Sequence, residues 1–190
     1  MAQYFQIHAQ NPQARLIQQA SEIVRQGGLI AYPTDSSYAL GCHLDDTRAV
    51  DRIRRIRKLD RHHNFTLVAA DLKQVAQFAK IDNEQYRLIK SLTPGAYTFI
   101  LAAKRLVPNR LVHPKRRTIG IRIPDNAIVR ALLAELGEPI MSSSLILPGQ
   151  QMAMADPEKI RAKLEHDVDL VIDGGIGVIE PSTVIDWHDD

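Results

Sequence analysis

The 190-residue chain is 45% hydrophobic and 24% charged, a balance that excludes a disordered polymer and fits one packed domain without a second. Its single cysteine, Cys42, excludes an internal disulfide, and the absence of any C-x-x-C pair excludes a thiolate zinc site, which favours a reducing compartment. The net charge of +2 hides an uneven spread: residues 1–150 hold 21 Lys and Arg against 12 Asp and Glu, whereas residues 151–190 hold 3 against 10. That split reads either as a basic face for phosphate-bearing partners or as a chance clustering of solvated charges. No basic start precedes an apolar stretch, and no run of about 18 apolar residues occurs, so a cytoplasmic protein with no membrane segment is expected.

In chain order, Asn11-Pro12 predicts a cap with proline at the first helical position, and Leu16, Ala20, Ile23 and Val24 recur at helical spacing up to Gly27-Gly28. Residues 12–26 are therefore expected to be helical. Two apolar runs, 29–32 and 38–43, predict strands on either side of a hydroxyl-rich turn at Pro33-Thr34-Asp35-Ser36. Asp46 or Thr47 caps a second helix with Ala49, Val50, Ile53 and Ile56 inward. A strand is expected at 65–69, helices at about 71–79 and 83–92, and strands at 97–102 and 118–123. Asn126 caps a helix ended by Gly137, a short strand follows at 139–142, Asp156-Pro157 starts a helix to about 164, and strands close the chain at 168–172 and 183–187. Alternating helices and strands without repeats predict a single α/β domain on a twisted, mixed parallel and antiparallel sheet with flanking helices.

The densest charge cluster is Arg52-Ile53-Arg54-Arg55-Ile56-Arg57-Lys58, followed by Arg61, His62 and His63. Alone, such a run reads as an ordinary solvated helix face. A second run, Lys104, Arg105, Arg110, Lys115, Arg116 and Arg117, carries no acid across fourteen residues, and two such patches can bracket a groove for phosphates. Arg52, Arg54, Arg55, Lys58, Lys115, Arg116 and Arg117 are the candidate nucleic-acid contacts. Contact is expected to be with the backbone, because only Tyr97 and Phe99 lie near as aromatic platforms and a strand core claims at least one of them.

Other features read as structural. The triplet Ser142-Ser143-Ser144 follows an apolar strand, where α/β sheets bind ligands, yet alone it is turn chemistry. There is no Gly-x-Ser-x-Gly. Asp173-Gly174-Gly175-Ile176-Gly177 lacks the Walker lysine and reads as a turn. His62-His63 reads as a surface pair, so no metal site is expected, and Cys42 reads as a core residue.

Several stretches resemble the YrdC/TsaC family, enzymes that make threonylcarbamoyl-AMP for tRNA modification. Tyr32-Pro33-Thr34-Asp35-Ser36-Ser37-Tyr38-Ala39-Leu40-Gly41 is similar to the family's Pro-Thr-Glu/Asp-Thr-x-Tyr-Gly-Leu-Gly loop, and Pro94-Gly95 with Thr98-Phe99-Ile100-Leu101 to its Pro-Gly-x-x-Thr segment. Ile119-Gly120-Ile121-Arg122-Ile123-Pro124 and Ser182-Thr183-Val184-Ile185-Asp186 match two further motifs, and the stretches around 56–67 and 142–149 resemble the YciO branch. The resemblance implies an α/β domain with a basic cleft in which L-threonine, bicarbonate and ATP with Mg2+ give threonylcarbamoyl-AMP and pyrophosphate. It also implies binding of tRNA or double-stranded RNA.

The same resemblance implies that Arg122 clamps the threonine carboxylate, with Ser36, Ser142 and Ser182 around it; that Lys58 and Arg61 meet phosphate; and that Thr118 and Ser144 face the nucleotide. On the residues alone, Arg122 reads as a structural ion pair with an acid of the 173–190 tail. Three departures from the family pattern bear on activity. Lys-x-Arg appears as Lys58-Leu59-Asp60, Ser-x-Asn as Ser144-Leu145-Ile146, and the chain stops at Asp190, before a segment in which relatives place another arginine. Each lost charged hydrogen bond removes about 1–3 kcal/mol of ligand stabilisation. Two functions follow: a synthase-like enzyme of weak or altered activity, or a non-catalytic RNA-binding module that keeps the basic cleft.

Overall fold

The computed structural model describes residues 1–60 and 62–187. It begins with β1 (Gln3–Gln6), a strand that composition did not predict because its four residues alternate no clear apolar face. Helix α1 (Ala14–Arg25) starts later than Asn11-Pro12 suggested: its cap is Gln13, which makes no side-chain cap bond to the helix. The His8 ring explains the shift, since its Nδ1 accepts from the backbone N–H groups of Gln10 and Asn11 and so holds that stretch in a turn.

Strands β2 (Ile30–Pro33) and β3 (Tyr38–His43) pair antiparallel around the predicted turn. Helix α2 (Thr47–Arg57) is capped by the Asp46 carboxylate, which accepts from Ala49 N–H at 2.8 Å, and ends at Lys58 with φ of 53°. After β4 (Thr66–Val68) come α3 (Leu72–Phe78) and α4 (Asn83–Leu92), the latter with a reciprocal Asp82/Gln85 capping box. Next follow β5 (Tyr97–Ala102), β6 (Thr118–Arg122) and α5 (Ala127–Leu136), which starts at Asn126 and stops at Gly137 with φ of 72°. The short strand expected at 139–142 runs instead as β7 (Ile140–Ser144), because its last residues keep pairing with β3 up to Ala39. Helix α6 (Pro157–Leu164), β8 (Leu170–Asp173) and β9 (Thr183–Asp186) complete the chain.

The strands form one sheet in the order β1-β8-β2-β3-β7-β4-β6-β5-β9, with parallel and antiparallel neighbours mixed. One face is largely apolar: Leu40, Leu67, Phe99, Ile121 and Met141 pack under α2, α3, α4 and α6. The other face is covered only on one side. There α1 and α5 press Val24, Val129, Leu132 and Leu133 onto Ile30, Tyr32, Ile140 and Leu170. A buried leucine of this kind stabilises by about 1.5–3 kcal/mol.

The acidic tail is used structurally. Arg52 donates to Asp169 Oδ2 at 2.6 Å and to the Asp167 carbonyl at 2.7 Å, and Arg116 pairs with Asp186 at 2.7 Å. Part of the charge asymmetry is thus neutralised within the fold. Arg54 also departs from the outward guanidinium expected of it: it lies 5.0 Å over the Phe65 ring and donates to the Arg110 carbonyl. Cys42 is a core residue, and burial pushes its thiol up to about 12.

Candidate functional site

Where no helix covers the second face, strand alternation points short polar side chains outward from the sheet. Ser142 pairs with Gly41 and Thr66, Thr66 with Gly120, and Val68 with Arg122, so these residues share the face that α1 and α5 leave open. Buried polar residues gather here: Thr98, Arg122 and Ser142 on strands, and Thr34, Ser36 and Ser37 in the β2–β3 turn. A globular core normally avoids such groups unless each is bonded or meets a ligand.

The turn is built on Thr34. Its Oγ1 accepts from the backbone N–H groups of Ser36 and Ser37, and its own N–H donates to the Ser37 carbonyl. That geometry aims Ser36 at β6, where Arg122 Nη1 donates to Ser36 Oγ at 3.1 Å. Arg122 Nη2 pairs with Asp35, and the second Asp35 oxygen accepts from Asp125 N–H at 2.8 Å. Arg122 is 7% exposed, and its Nε has no partner among the described residues. The partner of Arg122 among the described residues is therefore Asp35, in its own motif loop, and not a described acid of the tail. Asp35 sits directly across from Arg122 because the hairpin returns the chain to that edge of the open face.

Beside this pair opens a cavity of about 320 Å³ whose wall includes Ser36, Ser144, Ile146, Met152, Glu180 and Ser182. Ser182 and Thr98 share a hydrogen bond at 2.7 Å, which ties the start of β9 to β5. The 174–177 turn is latched onto β3, because Tyr38 donates to the Gly175 carbonyl at 2.8 Å and accepts from Gly174 N–H. Burial pushes the Tyr38 phenol up to about 12, so it remains a donor at neutral pH. Met152, Ile179 and Val184 stand more than half exposed around this opening, an apolar rim on a hydroxyl-bearing floor.

The cavity thus brings together Ser36, Ser144 and Ser182, with Arg122 one hydrogen bond behind Ser36. Ser142 lies deeper on the same face, bonded to the Tyr32 hydroxyl at 2.6 Å. Thr118, expected to face a nucleotide, is 1% exposed, and its hydroxyl is enclosed next to the Arg116–Asp186 pair, so it forms no part of the cavity wall. Lys58 lines a different, open groove with Asp60, His62 and His63. Arg61 lies outside the described residues.

His63 is half-buried at the edge of that groove. Its ring stands edge-on to Phe65 at 5.3 Å, and burial, with Arg57 next, holds its pKa down at about 4. Among the described residues no group of three His, Cys, Asp or Glu could hold a metal. The seven candidate nucleic-acid contacts divide in two. Arg52, Arg54 and Arg116 are engaged within the fold, while Arg55, Lys58, Lys115 and Arg117 are exposed. The two basic runs do meet, through Arg54 on the Arg110 carbonyl and His62 at 6.3 Å from His113.

Sequence reasoning missed Asp35 as the partner of Arg122, although it sits at the acidic position of the first motif. It also missed Gln151, Met152 and Glu180 in the cavity wall. These come from irregular loops with no periodic signal, and no sequence pattern marks them. No helix among the described residues is long and apolar enough to cross a membrane.

Comparison with known proteins bears on this geometry. A family model described as "Telomere recombination", covering Sua5, YciO and YrdC proteins, matches residues 22–190. YciO of Escherichia coli strain K12 is 54% identical over 190 residues, spanning all of this chain and 92% of that protein, and its crystal structure superposes with a TM-score of 0.97. A threonylcarbamoyl-AMP synthase of Chromobacterium violaceum is 35% identical over 177 residues, 92% of this chain and 90% of the relative. The structure of P. abyssi Sua5 complexed with L-threonine aligns with a TM-score of 0.89 at 26% identity, over 97% of this chain and 54% of that one. With its motif residues Asp35, Ser36, Arg122 and Ser182 gathered at one open sheet face, and with these matches over nearly its whole length, the chain belongs to the Sua5/YciO/YrdC family.

Proposed function

We propose that the open polar face binds L-threonine beside a nucleotide and supports a threonylcarbamoyl-AMP synthase-like reaction. The observation that carries this reading is Arg122, a nearly buried guanidinium on the open face, with an unpartnered Nε and a bond to a cavity-wall serine. A buried cation of this kind, next to a cavity that holds hydroxyls, suits an amino-acid carboxylate. The P. abyssi Sua5 structure with L-threonine supports the same ligand for this chain.

In that reaction the amine of threonine combines with bicarbonate, losing water, to give a carbamate. A carbamate oxygen then attacks the α-phosphorus of ATP, and the bond to the β-phosphate breaks to release pyrophosphate. Arg122 orients the carboxylate, and Ser36 and Ser182 hold the polar groups of threonine. Ser144 and the apolar rim of Ile146 and Met152 receive the nucleoside side. Lys58 and Arg61 supply cations for the phosphates, with magnesium arriving on ATP. Enclosure by the 174–182 strap limits hydrolysis of the mixed anhydride.

Asp35 makes the site nearly neutral before ligand arrives. The carboxylate of threonine therefore shares Arg122 with Asp35. Ile146, where the family has an amide, lines the cavity itself, whereas Asp60 is exposed in the separate groove. The weakened contact on the nucleotide side is accordingly Ile146 more than Asp60, because water screens an exposed carboxylate.

The test is pyrophosphate release from ATP, measured with and without L-threonine and bicarbonate. Release that requires both supports the synthase reading, and its absence at saturating ATP removes it. A second reading, RNA binding without catalysis, is favoured by the exposed Arg55, Lys58, Lys115 and Arg117 on two basic runs that meet through Arg54 and His62. Replacing those four with Gln should weaken tRNA binding and flatten its salt dependence. An unchanged salt slope excludes this surface.

A further inference from the structure

The last residue of α2 performs a task that neither basic patch nor cavity accounts for. Arg57 reaches back from the helix end to β7: Nε donates to the Ile146 carbonyl at 3.1 Å, and Nη1 donates to Ser143 Oγ. Ser143 is 4% exposed and points away from the cavity, because it pairs with Leu40, whose side chain belongs to the α2 side of the sheet. Its neighbours point the other way. Ser144 and Ile146 both line the cavity, and they are linked by a bond from Ile146 N–H to the Ser144 carbonyl at 2.8 Å.

The guanidinium therefore grips, from behind the sheet, the segment whose alternate residues form the cavity wall. A third group completes the grip. Ser143 Oγ lies 3.4 Å from His63 Nε2, and His63 leaves the same loop that begins at Lys58, one residue beyond Arg57. A neutral His63 accepts from the Ser143 hydroxyl while Arg57 donates to the oxygen, so each member of the trio has a matched role. The guanidinium is half-buried, which strengthens its bonds to a carbonyl and a hydroxyl.

We propose that Arg57 is a positioning residue: with Ser143 and His63 it anchors the end of β7 to the Lys58–Asn64 loop, and so sets where Ser144 and Ile146 stand in the cavity. The consequence for ligands rests on the threonine- and nucleotide-binding reading above, whereas the anchor itself does not. The wall and the cationic loop then share one support. A ligand that bridges them meets both in a fixed relative place, without paying to order the 144–154 segment.

The test is amide hydrogen exchange on the full chain, paired with calorimetric titration of ATP, for the parent, Arg57→Gln and Arg57→Lys. In Arg57→Gln the 144–154 segment should exchange roughly ten-fold faster while α1 and α5 keep the parent rate. ATP should bind roughly ten-fold more weakly, as expected for loss of a charged bond that holds its contact residues in place. Arg57→Lys, which keeps a single donor, should fall between. His63 gives an independent readout by NMR. Arg57, Arg54 and Asp60 are the charges that face it, so removing the Arg57 charge should raise its titration midpoint from about 4.

Ser143→Ala serves if Arg57→Gln fails to fold, since it removes only one bond and should show the same local loosening to a smaller extent. Parent-like exchange of residues 144–154 in both variants overturns the anchor. A loosened segment with unchanged ATP affinity overturns the positioning role. A parent that binds no ATP removes the functional reading instead, and the exchange result still decides the anchor.

Discussion

The two halves of one sheet face make opposite choices. Under α1 and α5 the face is Ile30, Tyr32, Ile140 and Leu170, closed and apolar, while a few strands away it is Ser142, Arg122 and Thr98, open and polar. Strand β7 crosses both regions with Ile140 and Ser142, so strand propensity alone does not separate them. What separates them is the presence of a helix. Where α5 lays Leu132 and Leu133 on the sheet, burial of apolar surface supplies stability, and where no helix lands, a polar set survives that can meet a ligand.

The largest expected effect lies in the covered half. Leu132→Ala should cost about 3–4 kcal/mol of unfolding free energy by leaving a cavity under α5, read from denaturant unfolding. Ligand affinity at native conditions should be nearly unchanged. A comparable loss of threonine affinity would show that the two halves are not separable.

In the open half, Arg122→Met strands Asp35 in a nearly buried place and should cost about 2–3 kcal/mol. The double variant with Asp35→Leu should recover part of that stability, because no charge is left unpaired, while threonine binding stays lost. Full recovery of binding in the double variant would exclude Arg122 as the carboxylate clamp.

The acid side sharpens the contrast further. His63 has a folded pKa of about 4 against an ordinary 6.5, so the unfolded chain binds its proton first as pH falls. The stability that rests on neutral His63 is present above 6.5 and is lost between 6.5 and about 4. Thermal unfolding should therefore be less pH-dependent in His63→Gln over that window, and an identical slope would remove His63 as a contributor.

The smallest effect on stability belongs to the cavity wall. Ile146→Asn should leave the unfolding midpoint close to the parent and raise ATP affinity several-fold, as an added hydrogen bond of about 1 kcal/mol implies. Asp60→Arg should help less, because position 60 is exposed in the open groove. Equal gains from the two would place both at the nucleotide.

Much of this protein was determined by local sequence. Asp46, Asn126 and Gly137 set helix ends through their own side chains or φ values, and the runs at 97–102 and 118–122 formed strands because β-branched and aromatic residues fit a pleated, half-buried surface. The motif residues Ser36, Arg122 and Ser182 could be picked out as candidates for the same reason: they stand in short, specific patterns. Only the tertiary structure decided that Asp35 neutralises Arg122, that Arg52 and Arg116 are taken up by the acidic tail, that Thr118 is enclosed, and that Arg57 grips β7 from behind. Those outcomes depend on which side chains meet across the sheet order β3-β7-β4-β6 and at the ends of α2 and β9. Such pairings join residues 70 to 117 positions apart, a separation at which no local propensity carries information and only the closing of the sheet brings the partners together.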